Sequence, residues 1–185
     1  MNKFKVAEVI STFFYSGKSR FCPGTMGSIA TLPLWFLIIS FIVYYKLKPL
    51  LTLILFTTLV GIVGYWATKI YIAETHRDDP KEIVIDEVVG QLLSFIFSFS
   101  FIFFVGNYDI LQIHNTSPYF LHTFLFLMPI VFFRIYDITK PLIIGTVDRK
   151  MKNALGVMLD DVIAGIFAGI TNSIVIFTLL KLFFM

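Results

Sequence analysis

The chain alternates between long apolar stretches and short segments that carry most of its charges. A helix that spans a bilayer needs about 20 mostly apolar residues. Stretches of about this length lie at roughly 28–45, 50–72, 86–106, 119–138 and 160–184. The pattern therefore predicts an all-α integral membrane bundle with about five transmembrane helices, and the length favours a single domain over residues 1–185.

A shorter amphipathic segment precedes the first predicted span. Its apolar residues recur at the spacing of one helix face, at Val6, Val9, Ile10, Phe13 and Phe14. This spacing predicts an N-terminal amphipathic helix. Two arrangements fit it equally well: a helix lying in the membrane interface, or a helix packed against the rest of the protein.

The composition supports a membrane environment. Hydrophobic residues make up 57% of the chain and charged residues only 15%, whereas soluble domains are about 25% charged. The single cysteine, Cys22, excludes an internal disulfide. A net charge of +3 without a basic block gives no reason to expect a nucleic-acid partner.

The charges are distributed unevenly between the two sides of the predicted bundle. With five spans, twelve of the fifteen Lys and Arg residues fall on one side. The positive-inside rule makes that side cytoplasmic, so the N-terminus is predicted inside and the C-terminus outside. Eleven of the twelve acidic residues lie on the same side, although acids contribute little to topology. This asymmetry indicates a functional surface at the cytoplasmic interface.

Two acidic pairs stand at the predicted starts of the third and fifth spans, Asp86–Glu87 and Asp160–Asp161. A charge at mid-membrane costs about 2.5–3.5 kcal/mol on insertion scales, and a helix dipole offsets only about 0.3–1 kcal/mol. Helix capping therefore explains at most one acid of a pair. Carboxylates gathered from several helix ends are typical ligands of Mg²⁺, so these four residues are predicted metal ligands.

The segment just before the third span has the spacing of a capping box. Asp79 precedes Pro80, and Glu82 follows three residues after Asp79. Proline suits the first turn of a helix. The pattern predicts that the third helix begins near Pro80, with Asp79 and Glu82 serving mainly as caps.

Two further segments suggest phosphate binding. Arg134, Asp137 and Lys140 are spaced i, i+3, i+6 at the end of the fourth span, and the two cations could clamp a phosphate. Asp137 would hold either Arg134 or a metal. A snorkelling interfacial ladder is the alternative interpretation. The loop entering the first span offers backbone N–H groups at a helix N-terminus, with candidate residues Gly24, Thr25, Gly27 and Ser28.

Together, these motifs resemble a known family. PGTMGS at 23–28, IVIDEVVGQ at 83–91, FRIYDITKP at 133–141 and GVMLDDVIAG at 156–165 stand in the order and spacing of phosphatidylglycerophosphatase A. The resemblance implies a magnesium-dependent enzyme of the bacterial inner membrane. It would hydrolyse phosphatidylglycerophosphate to phosphatidylglycerol and phosphate, in phospholipid biosynthesis.

The resemblance also suggests roles for the candidate residues. Catalysis is expected from the carboxylates Asp86, Glu87, Asp137, Asp160 and Asp161. Asp86, Glu87, Asp160 and Asp161, with Asp137 as an optional fifth ligand, would hold Mg²⁺ at the cytoplasmic interface. One carboxylate, such as Asp160, would accept a proton from the attacking water. The choice between base and ligand, the number of metal ions and a covalent route through an Asp or Thr25 stay open.

Two other functions fit the same features. One is a phosphatase of a different lipid monoester, such as phosphatidic acid, since no residue distinguishes these headgroups. The other is a non-enzymatic membrane subunit whose interfacial acids bind a cation. That subunit predicts charges towards mid-span and on both sides of the membrane, which this sequence lacks.

Overall fold

The computed structural model describes residues 3–77, 80–107, 119 and 122–184. The described part is all-helical and contains no β-strand, as predicted. In chain order the α-helices are α1 Lys3–Ser11, α2 Pro23–Tyr45, α3 Pro49–Thr75, α4 Ile85–Asn107, α5 Met128–Thr139, α6 Ile143–Lys150 and α7 Ala154–Phe184. A 3-10 turn, Ser16–Lys18, follows α1, and a π-helical turn, Thr123–Leu127, leads into α5.

Three of these helices are long and apolar enough to cross a membrane: α2, α3 and α7. Their outward faces carry exposed large apolar side chains, such as Leu37, Ile62 and Ile174. Continuous apolar surface of this kind marks contact with lipid or with another protein. The predicted third span corresponds to α4. The fourth corresponds to the π-helical turn with α5, and part of its beginning lies outside the described residues.

The N-terminal helix packs against the bundle with one face. Phe4 stacks on Tyr71 of α3 with 5.7 Å between ring centroids, and Ala7 and Ser11 are fully buried. The helix ends at Ser11, whose carbonyl accepts a hydrogen bond from the Val84 N–H at 2.9 Å. The packed arrangement therefore fits α1 better than an interfacial one, and α1 supports the start of α4.

Two helix starts differ from the sequence prediction. Helix α4 begins at Ile85 and not near Pro80, so Glu82 lies in the preceding turn; Asp79 lies outside the described residues. Helix α7 begins at Ala154, where the Asn153 side chain accepts the N–H groups of Leu155 and Gly156, both at 3.0 Å. Asn153 is thus the N-cap, and the aspartate pair of α7 lies about two turns inside the helix.

Small residues bring α4 and α7 together. A Cβ placed on Gly165 would collide with the Gly90 backbone, and one on Gly90 would collide with the Asp161 carbonyl. Glycine at such contacts lets two helix backbones approach closely. The approach sets the acidic pair of α4 beside the acidic pair of α7.

Further along α4 and α7, beyond the acidic pairs, neutral polar side chains form hydrogen bonds between helices. Asn172 of α7 donates to Ser98 Oγ at 2.9 Å and to the Phe124 carbonyl at 2.7 Å. Ser94 of α4 donates to the Pro129 carbonyl at 3.2 Å. These bonds tie α7 to α4 and to the π-helical turn, and α4 to α5. They therefore help to fix the helix ends that carry the acidic pairs.

Candidate active site

A cavity of about 340 Å³ opens among the ends of α2, α4, α5, α6 and α7. We call it the acidic cavity. It is lined by nine of the eleven residues that the sequence predicted for a site: Gly24, Thr25, Asp86, Glu87, Arg134, Asp137, Lys140, Asp160 and Asp161. The chain therefore brings the four sequence motifs together in one place.

Arg134 lies between two carboxylates, and the three residues form what we call the arginine cluster. Its Nη1 is 2.6 Å from Asp137 Oδ2, one turn along α5, and 3.3 Å from Glu87 Oε1 on α4. All three side chains are less than one-fifth exposed. Arg134 Nε and Glu87 Oε2 are buried without a hydrogen-bond partner in the described part of the chain.

Lys140 is the centre of a second group, the lysine cluster. Its Nζ donates to Asp148 Oδ1 of α6 at 2.7 Å and to Asp160 Oδ2 of α7 at 2.8 Å. Burial lowers the pKa of Lys140, but the hydrogen bonds to the two carboxylates outweigh burial, so the pKa lies above its ordinary value. The hydrogen bond from Lys140 holds the pKa of Asp148 below its ordinary value. Lys140 therefore stays cationic at physiological pH.

The backbone bends sharply where Lys140 leaves α5. Lys140 is the C-cap residue, with φ of 43°, and Leu142 also has a positive φ, 52°. The left-handed region is unfavourable for residues other than glycine, Asn and Asp. Strained residues of this kind cluster at functional sites. Here the bend points the lysine back at α6 and α7.

Asp86 and Asp161 belong to neither cluster. They are only 7% and 4% exposed, and neither forms an ion pair with a described residue. Asp86 Oδ1 accepts the Glu87 N–H at 2.9 Å, whereas the Asp161 side chain has no hydrogen bond within the described residues. These two carboxylates line the cavity without a cationic partner, which is costly unless a ligand supplies positive charge.

The start of α2 faces the acidic cavity with free N–H groups. Cys22 is the N-cap, Pro23 has no N–H, and the Met26 N–H donates to the Cys22 carbonyl at 3.1 Å. The amides of Gly24 and Thr25 are therefore the ones available at this helix end. A Cβ on Gly24 would collide with the Glu87 carboxylate, so the close approach requires glycine.

The last two predicted site residues do not line the cavity. Ser28 is fully buried, and its hydroxyl donates to the Gly24 carbonyl at 3.2 Å. Gly27 packs against the Glu87 side chain from behind, where a Cβ would lie 2.7 Å from Oε2. Their amides also lie beyond the first turn, where helical N–H groups bond to carbonyls of the same helix. The structure thus brings Gly24 and Thr25 to the site and leaves Gly27 and Ser28 as support.

The profile of the phosphatidylglycerophosphatase A family matches residues 9–176, which is nearly the whole chain. The chain belongs to the phosphatidylglycerophosphatase A family. It is therefore an enzyme, a phosphatase, and the non-enzymatic alternative is set aside.

Named relatives cover the same extent of the chain. The phosphatidylglycerophosphatase A of Escherichia coli is 30% identical, with 86% of this chain and 77% of that protein covered. The Haemophilus influenzae protein of that name is 29% identical, with 86% and 82% covered. A Bacteroides thetaiotaomicron protein, provisionally named a phosphatidylinositol-3-phosphatase, is 31% identical, with 86% and 87% covered. No solved structure matches the chain significantly.

Sequence reasoning missed three charged residues of this site, Lys81, Asp148 and Lys152. Asp148 lines the cavity and binds Lys140, and it also lies 3.8 Å from Lys152. The spacing of Asp148 and Lys152, i and i+4, was readable in the sequence. The contact with Lys140 was not, because it depends on the backbone bend after α5.

The donor set of the acidic cavity fits a hard cation. Among the described residues, no three carboxylate, imidazole or thiol groups are arranged to hold a metal by themselves. Magnesium, however, often uses one or two carboxylates, with waters and substrate phosphates completing its shell. Asp86 and Asp161 supply that number, and their oxygens are not committed to a cation.

Proposed function

We propose that this enzyme is a magnesium-dependent phosphatase that converts phosphatidylglycerophosphate to phosphatidylglycerol and inorganic phosphate. The observation that carries the proposal is the charge of the acidic cavity, which six carboxylates and four cationic side chains line. A phosphomonoester dianion is repelled by such a cavity unless additional positive charge accompanies it. A divalent cation held by Asp86 and Asp161 would neutralise the excess of negative charge.

When bound, Mg²⁺ would polarise the phosphomonoester, orient it and lower the pKa of a water molecule. The roles of Glu87 and Asp160 then differ from those of Asp86 and Asp161. Glu87 is engaged with Arg134, and Asp160 with Lys140. We therefore assign Asp86 and Asp161 as the principal metal ligands, with Glu87 and Asp160 as ligands only if their ion pairs open.

The cationic groups of the cavity would bind the phosphate. Arg134 offers its planar fork, Lys140 a point charge, and Gly24 and Thr25 their free N–H groups at the start of α2. Neutralising the charge on the phosphoryl oxygens is the main requirement of phosphoryl transfer. The arginine and lysine clusters hold both cations in the cavity before the substrate arrives.

Asp160 is the best-placed general base. One of its oxygens binds Lys140, and the other, Oδ1, is buried without a partner in the described part of the chain. A carboxylate fixed through one oxygen can accept a proton from water through the second. Lys140 would then stabilise the position of Asp160 as well as the phosphate.

We further propose that five helices cross a bacterial inner membrane, with the N-terminus and the acidic cavity facing the cytoplasm. In addition to the three long apolar helices, α4 and the π-helical turn with α5 would span the bilayer. The distribution of Lys and Arg supports this orientation. The apolar surface would hold the acyl chains while the headgroup enters the cavity.

A second substrate is favoured by one specific observation. The Bacteroides thetaiotaomicron relative covers as much of the chain as the others, and its provisional name describes an inositol-lipid phosphatase. A phosphatidylinositol monophosphate is therefore the alternative substrate. Phosphatidic acid stays a third possibility, because its monoester would fit the same clusters.

The deciding experiment measures phosphate release by the purified enzyme from these three lipids in mixed micelles, with Mg²⁺ and after chelation. We expect the highest kcat/KM with phosphatidylglycerophosphate and loss of activity on chelation, restored by added Mg²⁺. Full activity after chelation would refute the metal assignment. A higher kcat/KM with another of these lipids would refute the substrate assignment.

A further inference from the structure

A second cavity adjoins the acidic cavity. It has a volume of about 550 Å³ and is lined by Gly17, Lys18, Ser19, Arg20, Pro23, Tyr71, Lys81 and Glu82. Pro23 and Lys81 also line the acidic cavity. The two cavities are thus separated by shared residues at the start of α2 and in the turn before α4.

The second cavity has positive charge available for a ligand. Its one acid, Glu82, is already engaged by the Arg77 guanidinium and the Tyr71 hydroxyl. Lys18 is paired with Glu8 of α1. Within the described residues, neither Arg20 nor Lys81 forms an ion pair, and both are exposed. An anion is therefore the ligand that this cavity would attract.

Exposed aromatic residues lie near Arg20 along the chain. Phe14 and Phe21 are 76% and 82% exposed, and Tyr15 is half-exposed. Exposed aromatics beside basic residues are typical of surfaces at the membrane–water interface. An anionic group bound by Arg20 would therefore lie where a lipid headgroup continues into its acyl chains.

We propose that the second cavity binds the phosphodiester of a lipid headgroup whose phosphomonoester occupies the acidic cavity, with Arg20 and Lys81 as the cationic contacts. This inference rests on the proposed function, because it requires that the phosphomonoester reacts in the acidic cavity. Phosphatidylglycerophosphate and phosphatidylinositol monophosphates carry both groups, whereas phosphatidic acid carries only the monoester. The second cavity would thus select lipids with a bridged pair of phosphates.

Arg20→Gln tests this assignment, because Arg20 lines only the second cavity. Arg149→Gln is the matched control, since Arg149 is exposed on α6 and lines neither cavity. With phosphatidylglycerophosphate we expect Arg20→Gln to raise KM about fivefold to tenfold through the loss of one charge-assisted contact. The KM for phosphatidic acid and both kcat values should change less than about twofold. Arg20→Lys should restore most of the loss.

Inhibition gives a second measurement that does not depend on turnover of phosphatidic acid. Phosphatidylglycerol carries the phosphodiester alone, whereas inorganic phosphate is the reaction product and would compete with the phosphomonoester in the acidic cavity. Arg20→Gln should weaken inhibition by phosphatidylglycerol and leave inhibition by phosphate unchanged. A change that is equal for both inhibitors, or for both lipid substrates, would show general attraction of anions and overturn the proposal, as would no change at all.

The substrate named in the proposed function can be wrong while the phosphodiester site is still supported. If the wild-type enzyme prefers a phosphatidylinositol monophosphate, the substrate in the proposed function is wrong. The same selective effect of Arg20→Gln on that lipid would still support the second cavity as the phosphodiester site. If phosphatidic acid is the preferred substrate and Arg20→Gln leaves inhibition by phosphatidylglycerol unchanged, the inference is overturned as well.

Discussion

The arginine cluster and the lysine cluster share one plan but differ in construction. Each holds a cation between two carboxylates at the same cavity. In the arginine cluster the cation and one acid are three residues apart on α5, and the Arg134 side chain is only 18% exposed. In the lysine cluster the three groups come from the end of α5, from α6 and from α7, and the Lys140 side chain is 31% exposed.

This difference indicates a division of labour between the two cations. A guanidinium presents a planar fork that binds two oxygens in a fixed geometry, whereas an ammonium is a compact charge on a flexible stem. The buried arginine cluster is suited to fix the orientation of a phosphate. The more open lysine cluster is suited to exchange partners as substrate enters and product leaves.

The largest effects are expected from the two adjacent acids of α7: Asp161, which belongs to neither cluster, and Asp160, which pairs with Lys140. Asp161→Asn should lower kcat/KM at least about 100-fold, which is more than the loss found when a residue only orients a metal ligand. It should also raise the Mg²⁺ concentration needed for half-maximal activity. Asp160→Asn, in the lysine cluster, should abolish phosphate release without that Mg²⁺ shift. Near-full activity of purified, folded Asp161→Asn would show that the unpaired acids do not bind the metal.

The arginine cluster is tested by Arg134→Lys. The substitution keeps the charge but removes the fork, and loss of a charge-assisted hydrogen bond is worth about 1.5–3 kcal/mol. We therefore expect kcat/KM to fall roughly 10–100-fold, with unfolding temperature little changed. Lys140→Arg is the converse variant and should be milder. Equal decreases in kcat/KM for Arg134→Lys and Lys140→Arg would contradict the different roles assigned to the two clusters.

Gly24→Ala tests the contact between α2 and the arginine cluster. The added Cβ would displace the Glu87 carboxylate and lie 2.8 Å from Arg134 Nη1. Both are ends of flexible side chains, so we expect the protein to fold and kcat/KM to fall about tenfold, the equivalent of about 1.4 kcal/mol. Gly61→Ala, where the nearest atom is 3.9 Å away, is the control and should be near wild type.

The smallest effect is expected from Asp148, the other acid of the lysine cluster. Asp148→Asn removes one of two partners of Lys140, at a position where the side chain is 27% exposed and ion pairs contribute about 0.2–1 kcal/mol. We expect kcat/KM to fall about twofold to fivefold, with more effect on KM than on kcat. A loss comparable with that of Arg134→Lys would mean that the lysine cluster is as rigid as the arginine cluster.

The two clusters also differ in how far the sequence could predict them. The Arg134–Asp137 pair follows from spacing along one helix. Apolar runs located the long helices α2, α3, α4 and α7 to within about six residues but gave no sign of α6. The lysine cluster depends on Asp148 meeting Lys140 across a left-handed bend, which no periodic pattern encodes. Likewise, Asn153 caps α7 earlier than the apolar run begins, so the acid pair lies deeper in the helix than expected.

The length of α7 indicates how deep its acidic pair lies relative to the membrane. Its 31 residues measure about 46 Å at 1.5 Å per residue, against about 30 Å for the hydrocarbon core. Counted back from its far end, a membrane crossing of about 20 residues leaves Asp160 and Asp161 just beyond the acyl chains. That is the layer in which lipid phosphates lie, so a membrane of different thickness would move the acids relative to the bond they act on.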